Sequence, residues 1–362
     1  MGTVVQLKNQ INDSYFQLKD SVEDKLVLTE EKIKSKLASD VELVQKMTDY
    51  HIKTGGKRLR ALLTLGAAKL CGYSKGSRDV NLAACVELIH SATLMHDDVI
   101  DEGVIRRGKE TLNKVWNNHS SVLIGDYLLS RCFEMMVEDG NLEVLKLLSS
   151  TSAKIAQGEV LQLQHKGEVD MLEETYLKII SAKTAELFAA ATKVGAILSD
   201  SDTKEKNALE FYGRNLGLTF QIADDTLDYN SDLKLFGKKI GQDFFEGKIT
   251  LPIILLFQKL VLNEKKLLIE IFQKELRDKE AYSKYQEDLG FEKAYYQGEV
   301  KKGNTLYISD CNEFCLVESN GRFYHAEQEH EDAMFELLRE VKYVHRLQNL
   351  YFELTDSELF KK

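Results

Sequence analysis

The chain has 362 residues, 43% hydrophobic and 29% charged, with a formal net charge of −10. It is long enough for one large domain or two smaller ones, and its composition is that of a soluble globular protein. The acidic balance argues against a general nucleic-acid binder, which would carry a basic surface. A single proline, Pro252, and long Leu/Ala/Glu/Lys runs favour an all-helical chain. Residues 5–50 read as amphipathic helix, broken near Asn12-Asp13-Ser14 and Ser39-Asp40. Thr54-Gly55-Gly56-Lys57-Arg58-Leu59-Arg60 follows, a glycine hinge with three cations in four residues. It lacks the spacing of a Walker loop; a turn into a helix N-terminus, favouring an anion, is the simpler reading. Residues 61–72 and 80–101 are expected to be helical. After a turn at Glu102-Gly103 come Arg106-Arg107-Gly108, either a local charge balance or bidentate clamps for phosphate oxygens.

Helices are expected over 119–139, 141–166 and 172–199, the last carrying Lys183-Thr184 on an apolar face. A lysine so placed either snorkels to water or points into a polar cavity. A further helix spans 203–229, and its Gly213 and Gly217, four apart, would let another helix approach closely. A loop rich in glycine and lysine, Phe236–Pro252, holds Lys238 and Lys248 and leads into an apolar helix starting near Pro252. Past residue 275 the character changes. Residues 276–300 are highly charged, Thr305–Ala326 alternates like strands around Ser319-Asn320-Gly321, and 331–359 returns to helical periodicity. The expected division is a core over 1–275, an atypical charged segment with a β-hairpin over 276–330, and one or more C-terminal helices over 331–362. Cys71, Cys85, Cys132, Cys311 and Cys315 are odd in number and lack paired metal spacing, which favours reduced thiols. No signal peptide or myristoylation motif is evident at Met1–Gln6, and the run Ile249–Gln258 is too short to span a bilayer. A soluble, cytoplasmic protein is expected.

The chemistry is concentrated in two repeats of one spacing. Asp97-Asp98-Val99-Ile100-Asp101 ends one helix, and Asp224-Asp225-Thr226-Leu227-Asp228 ends another. Asp97 and Asp101 project from one helical face, where two carboxylates repel each other unless solvated or bridged by a cation. Two such clusters on two helices could face each other across a cavity and hold Mg²⁺, which leaves coordination positions free for substrate phosphates. The surrounding cations, Lys57, Arg60, Arg106, Arg107, Lys183, Lys238 and Lys248, imply a substrate with several phosphate charges, and the apolar helices between them imply an organic remainder. His90 lies seven residues before Asp97, two turns back on the same face. No nucleophilic Ser or Cys stands beside a His and an acid in a recognisable motif.

In this order the motifs resemble the trans-isoprenyl diphosphate synthases, or polyprenyl synthetases, most of all the long-chain octaprenyl type. The resemblance covers residues 40–272 and rests on both aspartate-rich motifs, Gly56-Lys57-Arg58, Arg106-Arg107, Lys183-Thr184, Phe220-Gln221 and the lysine loop. It implies the isoprenoid synthase fold, an all-α antiparallel bundle around a deep central cavity, as a homodimer. It implies Mg²⁺-dependent head-to-tail condensation of isopentenyl diphosphate onto an allylic diphosphate, with two or three metal ions. By position, Asp97, Asp101 and Asp224 would bind the ions, with Asp98, Asp225 and Asp228 completing the clusters. Arg106, Lys183 and Lys238, with Lys248, would clamp the allylic diphosphate. Lys57, Arg60, His90 and Arg107 would take the isopentenyl diphosphate, while Lys183, Thr184 and Gln221 would stabilise the allylic cation.

Positions 93, 89/90 and 86 lie successively below Asp97, and a bulky aromatic just above the cluster would floor the cavity. Ala92 and Thr93 are small, and no aromatic occurs between Leu82 and Asp101. The expected product is therefore long-chain and all-trans, built from farnesyl diphosphate and used for a quinone side chain, with at most peripheral membrane contact. The C-terminal part departs from the family pattern. A non-catalytic subunit, a geranylgeranyl or farnesyl diphosphate synthase, and a terpene cyclase are the alternatives; the complete second motif and the Gly56-Lys57-Arg58 segment count against the first and last.

Overall fold

A computed structural model describes residues 15–229 and 241–273, together with the backbone of three strands between 304 and 325. The fold is all-α, and the described residues form two units. The first holds 15–164 and 174–221, the second 165–173 and 222 onward.

The first unit runs α1 (Glu23–Lys36), α2 (Glu42–Lys53), α3 (Leu59–Leu70) and α4 (Arg78–Ile100). A hairpin of β1 (Ile105–Arg106) and β2 (Lys109–Glu110) follows, then α5 (Leu112–Val115), α6 (Asn118–Asp139) and α7 (Leu142–Gln164). After α8 (Glu173–Ile180) comes a π-helical turn (Ser181–Ala185), then α9 (Glu186–Leu198) and α10 (Thr203–Asp228), whose last two turns belong to the second unit. The core is built on α4, which is buried along most of its length and packs against α1, α3, α6 and α9. Leu82, Ala83, Ala84, Cys85, Val86, Leu88 and Ile89 are each at most 1% exposed. Cys85 and Cys132 are buried free thiols, each donating across the α4–α6 contact to the other's carbonyl.

Small residues set the helix separations. A Cβ at Gly213 would lie 2.5 Å from the Phe188 carbonyl oxygen, and one at Gly217 2.6 Å from Ala185 Cα. The four-residue glycine spacing is thus the face on which α10 meets α9 and the π-turn. Helix ends follow local chemistry: the Asn117 side chain accepts from Ser120 N–H at 2.8 Å to start α6, and Gly140 closes it in a left-handed conformation.

One expectation is corrected. The helix expected over 172–199 is interrupted at Ser181–Ala185, where Glu186 N–H reaches back to the Ser181 carbonyl and one extra residue bulges outward. The segment after Glu102 is a β-hairpin; Arg107 (φ 52°) and Gly108 (φ 73°) form its two-residue turn, both with the positive φ of a type I′ turn.

In the second unit, α11 (Gln242–Glu246), α12 (Leu251–Lys259) and α13 (Leu262–Gln273) follow the end of α10. Phe244, fully buried, meets Phe245 and Phe272 edge-on at 5.6 and 5.1 Å. Pro252 occupies the first turn of α12, where its missing N–H costs nothing. Strands β3 (Asn304–Ile308), β4 (Cys315–Ser319) and β5 (Arg322–His325) form an antiparallel sheet, with Ser319 opposite Arg322. Lys238, the charged stretch 276–300 and the helix expected over 331–359 lie outside the described residues. Among the described residues no helix is long and apolar enough to cross a membrane.

Candidate active site

The C-terminal turn of α4 carries the first acidic cluster. Asp97 is pushed up to about 6 by burial, with Glu159 and Asp101 adding to the effect and Lys183 and Arg106 opposing it. Asp101 caps the helix, its N–H donating to the Asp97 carbonyl at 2.8 Å. Asp98 turns the other way: only 7% exposed, its Oδ1 accepts from Arg106 Nε at 2.8 Å and Nη2 at 2.7 Å. Asn113 secures the bend behind it, donating to the Asp98 and Gly103 carbonyls at 3.1 Å each. Asp98 therefore acts on Arg106, whose pKa is raised by Asp98, Asp97 and Asp101 against the opposing effect of burial.

Beside it lies a concentration of positive charge. The loop before α3 passes through Gly55 and Gly56 into Arg58, which starts the helix at φ 50°. Arg107, at the tip of the hairpin, donates to the Gly55 carbonyl, and a Cβ at Gly56 would lie 2.5 Å from its Nη1. Lys57 stands exposed on this loop. Arg60 lies 4.5 Å over the Phe188 ring, its buried Nε has no hydrogen-bond partner, and burial lowers its pKa to about 10. Glu87, 4% exposed, accepts from Ala61 N–H at 3.0 Å and lies 3.9 Å from Arg58, so one carboxylate caps α3 and balances the loop. Two imidazoles sit in this field. Burial, then Arg58, Arg107 and Arg106, lowers His51 to about 4; burial, then Arg60, Arg107 and Arg106, holds His90 well below its ordinary value. Four guanidinium groups around two neutral imidazoles make a site whose missing complement is an anion.

The π-turn supplies the third group. Lys183 Nζ lies 2.6 Å from Glu159 Oε2 and 2.8 Å from Gln162 Oε1, both on α7. Thr184 Oγ1 donates to Gln221 Oε1 at 2.8 Å. Below the turn, Glu186 accepts from Lys154 at 3.1 Å and from Arg214 at 2.6 and 3.3 Å, pinning the start of α9.

In the second unit, Asp224, Asp225 and Asp228 end α10, and Asp225 is 4% exposed. The chain returns to them through α11: the Asp243 N–H donates to Asp228 Oδ2 and the Gly241 N–H to the Asp228 carbonyl, each at 2.8 Å. Asp243 thereby joins the cluster. Its pKa is raised well above the ordinary range by burial, then by Asp225 and Asp228, with Lys248 opposing. Lys248 Nζ pairs with Glu246 at 2.7 Å.

Among the described residues no three His, Cys, Asp or Glu side chains converge on one point as a ready-made metal centre. The donor chemistry nonetheless fits a hard divalent cation. All donors are carboxylates, and in each unit burial, with neighbouring carboxylates adding to it, raises a pKa that a bound cation would lower. Sequence reasoning missed Asp243, Glu159, Glu87 and His51. Asp243 had a signal, an acid in the glycine-rich loop five residues before Lys248; the other three stand in ordinary helical runs.

The polyprenyl synthetase family model matches residues 41–289. An octaprenyl diphosphate synthase of Escherichia coli K12 is 46% identical over 219 residues, 60% of this chain and 68% of that protein. An all-trans-nonaprenyl-diphosphate synthase (geranyl-diphosphate specific) of Rhodobacter capsulatus is 44% identical over 222 residues, 61% of this chain and 68% of that one. A crystal structure of a polyprenyl synthase from Caulobacter crescentus CB15, complexed with calcium and isoprenyl diphosphate, superposes with a TM-score of 0.74 at 33% identity, covering 94% of this chain and 97% of that one. The chain belongs to the polyprenyl synthetase family, and it is a prenyltransferase of the trans-polyprenyl diphosphate synthase class.

Proposed function

We propose that the protein condenses isopentenyl diphosphate head-to-tail onto farnesyl diphosphate, repeating the step to a long all-trans polyprenyl diphosphate that serves as a quinone side chain. It works in the cytoplasm as a homodimer with Mg²⁺. The observation that carries the reading is the first unit's charge layout. Carboxylates on α4 stand next to a cationic cluster, and Arg106 belongs to both. The calcium and isoprenyl diphosphate named for the Caulobacter structure support the same ligand chemistry.

In this reading Asp97 and Asp101, and separately Asp224, Asp225, Asp228 and Asp243, hold divalent ions. A bound ion would supply charge neutralisation on the diphosphate, making it a better leaving group. Arg106, fixed by Asp98, clamps the allylic diphosphate with Lys183, Lys238 and Lys248. Lys57, Arg60, Arg107 and His90 take the isopentenyl diphosphate, and Arg58 adds to their field. The allylic C1–O bond breaks with its electron pair leaving on the diphosphate. The isopentenyl C3–C4 double bond then attacks C1 and leaves a cation at C3, and the released diphosphate takes a C2 proton so that the new double bond forms. Thr184 and Gln221, joined by their hydrogen bond, present oxygen dipoles to the intervening cation. The core over 1–275 carries all of this chemistry, and 276–330 and 331–362 are separate additions to it.

Labelled isopentenyl diphosphate with farnesyl diphosphate, in MgCl₂ and in EDTA, tests the proposal. A ladder ending at a long polyprenyl chain is expected in MgCl₂ alone. A folded sample that forms no product would overturn it.

A further inference from the structure

We infer that Glu159 on α7 is a positioning residue for Lys183, fixing the ammonium that the proposed reaction presents to the allylic diphosphate. The inference rests on that assignment of Lys183 and adds to it. One turn of α7 locates both ends of the lysine. At the backbone end, Gly158 lets the π-turn lie directly on the helix: a Cβ there would stand 2.7 Å from Lys183 N and 2.8 Å from Ala182 Cβ. At the other end, the ammonium lies 2.6 Å from Glu159 Oε2 and 2.8 Å from Gln162 Oε1, two groups three residues apart on one helical face. A free lysine side chain samples many rotamers, so two fixed acceptors convert a mobile charge into a located one. The pair is sequestered, with side chains 20% and 15% exposed, and is less screened than a surface ion pair.

A second feature separates positioning from simple anchoring. A contact serving stability alone would be better made by an uncharged acceptor, which Gln162 already provides. The charge at 159 is useful where the Lys183 ammonium must be aimed at one place.

The test is a double-mutant cycle of E159A and K183A, with E159Q and E159D alongside. It reads kcat, the KM of each substrate, and calorimetric binding of inorganic diphosphate in MgCl₂. E159A should lower kcat by about tenfold or more, since a small misplacement of a catalytic group costs that much. It should raise the KM for farnesyl diphosphate several-fold and leave that for isopentenyl diphosphate within about twofold. E159D should recover part of the loss, and E159Q, which keeps the shape, should stay impaired. In the K183A background E159A should change diphosphate binding by less than about twofold, because the two act as one unit. Effects that add fully, that fall equally on both substrates, or that vanish in E159A would overturn the inference. Circular dichroism and melting identify a variant that has failed to fold; E159Q then stands in for E159A and decides by the same criteria. Should the wild type form no product, the proposed reaction fails, and calorimetry alone decides on Glu159: weakened diphosphate binding in E159A but not on top of K183A supports it, unchanged binding overturns it.

Discussion

His51 shows what a single side chain in this site costs. The unfolded chain protonates it near pH 6.5, whereas the folded chain, which buries the ring and sets Arg58, Arg107 and Arg106 around it, does so only near 4. Above 6.5 both states are neutral and the residue contributes nothing to the pH dependence. As pH falls through that window the unfolded state takes up the proton first, and stability is lost, on the order of 3 kcal/mol by pH 4. His51→Gln should remove this component, so its urea-unfolding free energy should fall less than the wild type's between pH 6.5 and 4. Parallel pH profiles for the two proteins would count against the electrostatic account. Ala92 poses a different question at the same scale. It is 2% exposed on α4, one residue before the partly buried Thr93. Ala92→Phe should shorten the product by several isoprene units, read by chromatography of the dephosphorylated chains. Unchanged length would sink the cavity-floor argument.

At the scale of elements, two irregular turns do what regular helices cannot. The hairpin Ile105–Glu110 aims two adjacent arginines in different directions, Arg106 to Asp98 and Arg107 to the Gly55 carbonyl. Lys109 and Tyr50 tie it to the end of α2 through the Lys53 and Glu110 carbonyls at 2.7 and 2.8 Å. Gly108 at φ 73° is the residue the turn requires. Gly108→Val should store about 1–2 kcal/mol of backbone strain there. The expected result is a several-fold higher KM for isopentenyl diphosphate, a smaller change for the allylic substrate, and kcat affected less than either. Steady-state kinetics with each substrate varied separately checks this. The same two turns mark where sequence reading stopped. Helices α3, α4, α6 and α7 announce themselves by apolar runs and polar breaks, and Gly213 with Gly217 announces a packing face. The π-turn costs only one extra residue inside an unbroken helical pattern, so periodicity passes over it. The hairpin is two residues a side, too short for alternation to register, and only the positive φ at Arg107-Gly108 reveals it.

At the scale of the whole molecule, the described residues carry many scattered ion pairs and also two places where charge of one sign is gathered. A chain of net charge −10 gathers Arg58, Arg60, Arg106 and Arg107 beside α4 and concentrates carboxylates at the ends of α4 and α10. The D-D-x-x-D spacing made both acidic ends legible, because two carboxylates four apart on a helix need a reason. Asp243 was not legible as their partner, since its place beside Asp228 depends on the fold of the loop through Gly241. That place makes a prediction about stability as well as ligands. With no cation bound, Asp243 is pressed against Asp225, Asp228 and Asp224 in a buried setting. Asp243→Asn removes one of the repelling charges at constant size, so in EDTA the variant should melt at a higher temperature than the wild type. Adding MgCl₂ reverses the order of advantage. A ligand present at a hundred times its dissociation constant stabilises the state it binds by about 2.7 kcal/mol, so the wild type should gain a clear upward shift and the variant a smaller one. Scanning fluorimetry in EDTA, in MgCl₂, and in MgCl₂ with inorganic diphosphate separates the two effects. A variant that melts below the wild type in EDTA would mean that Asp243 is held by attraction to Lys248 more than it is strained by its acidic neighbours.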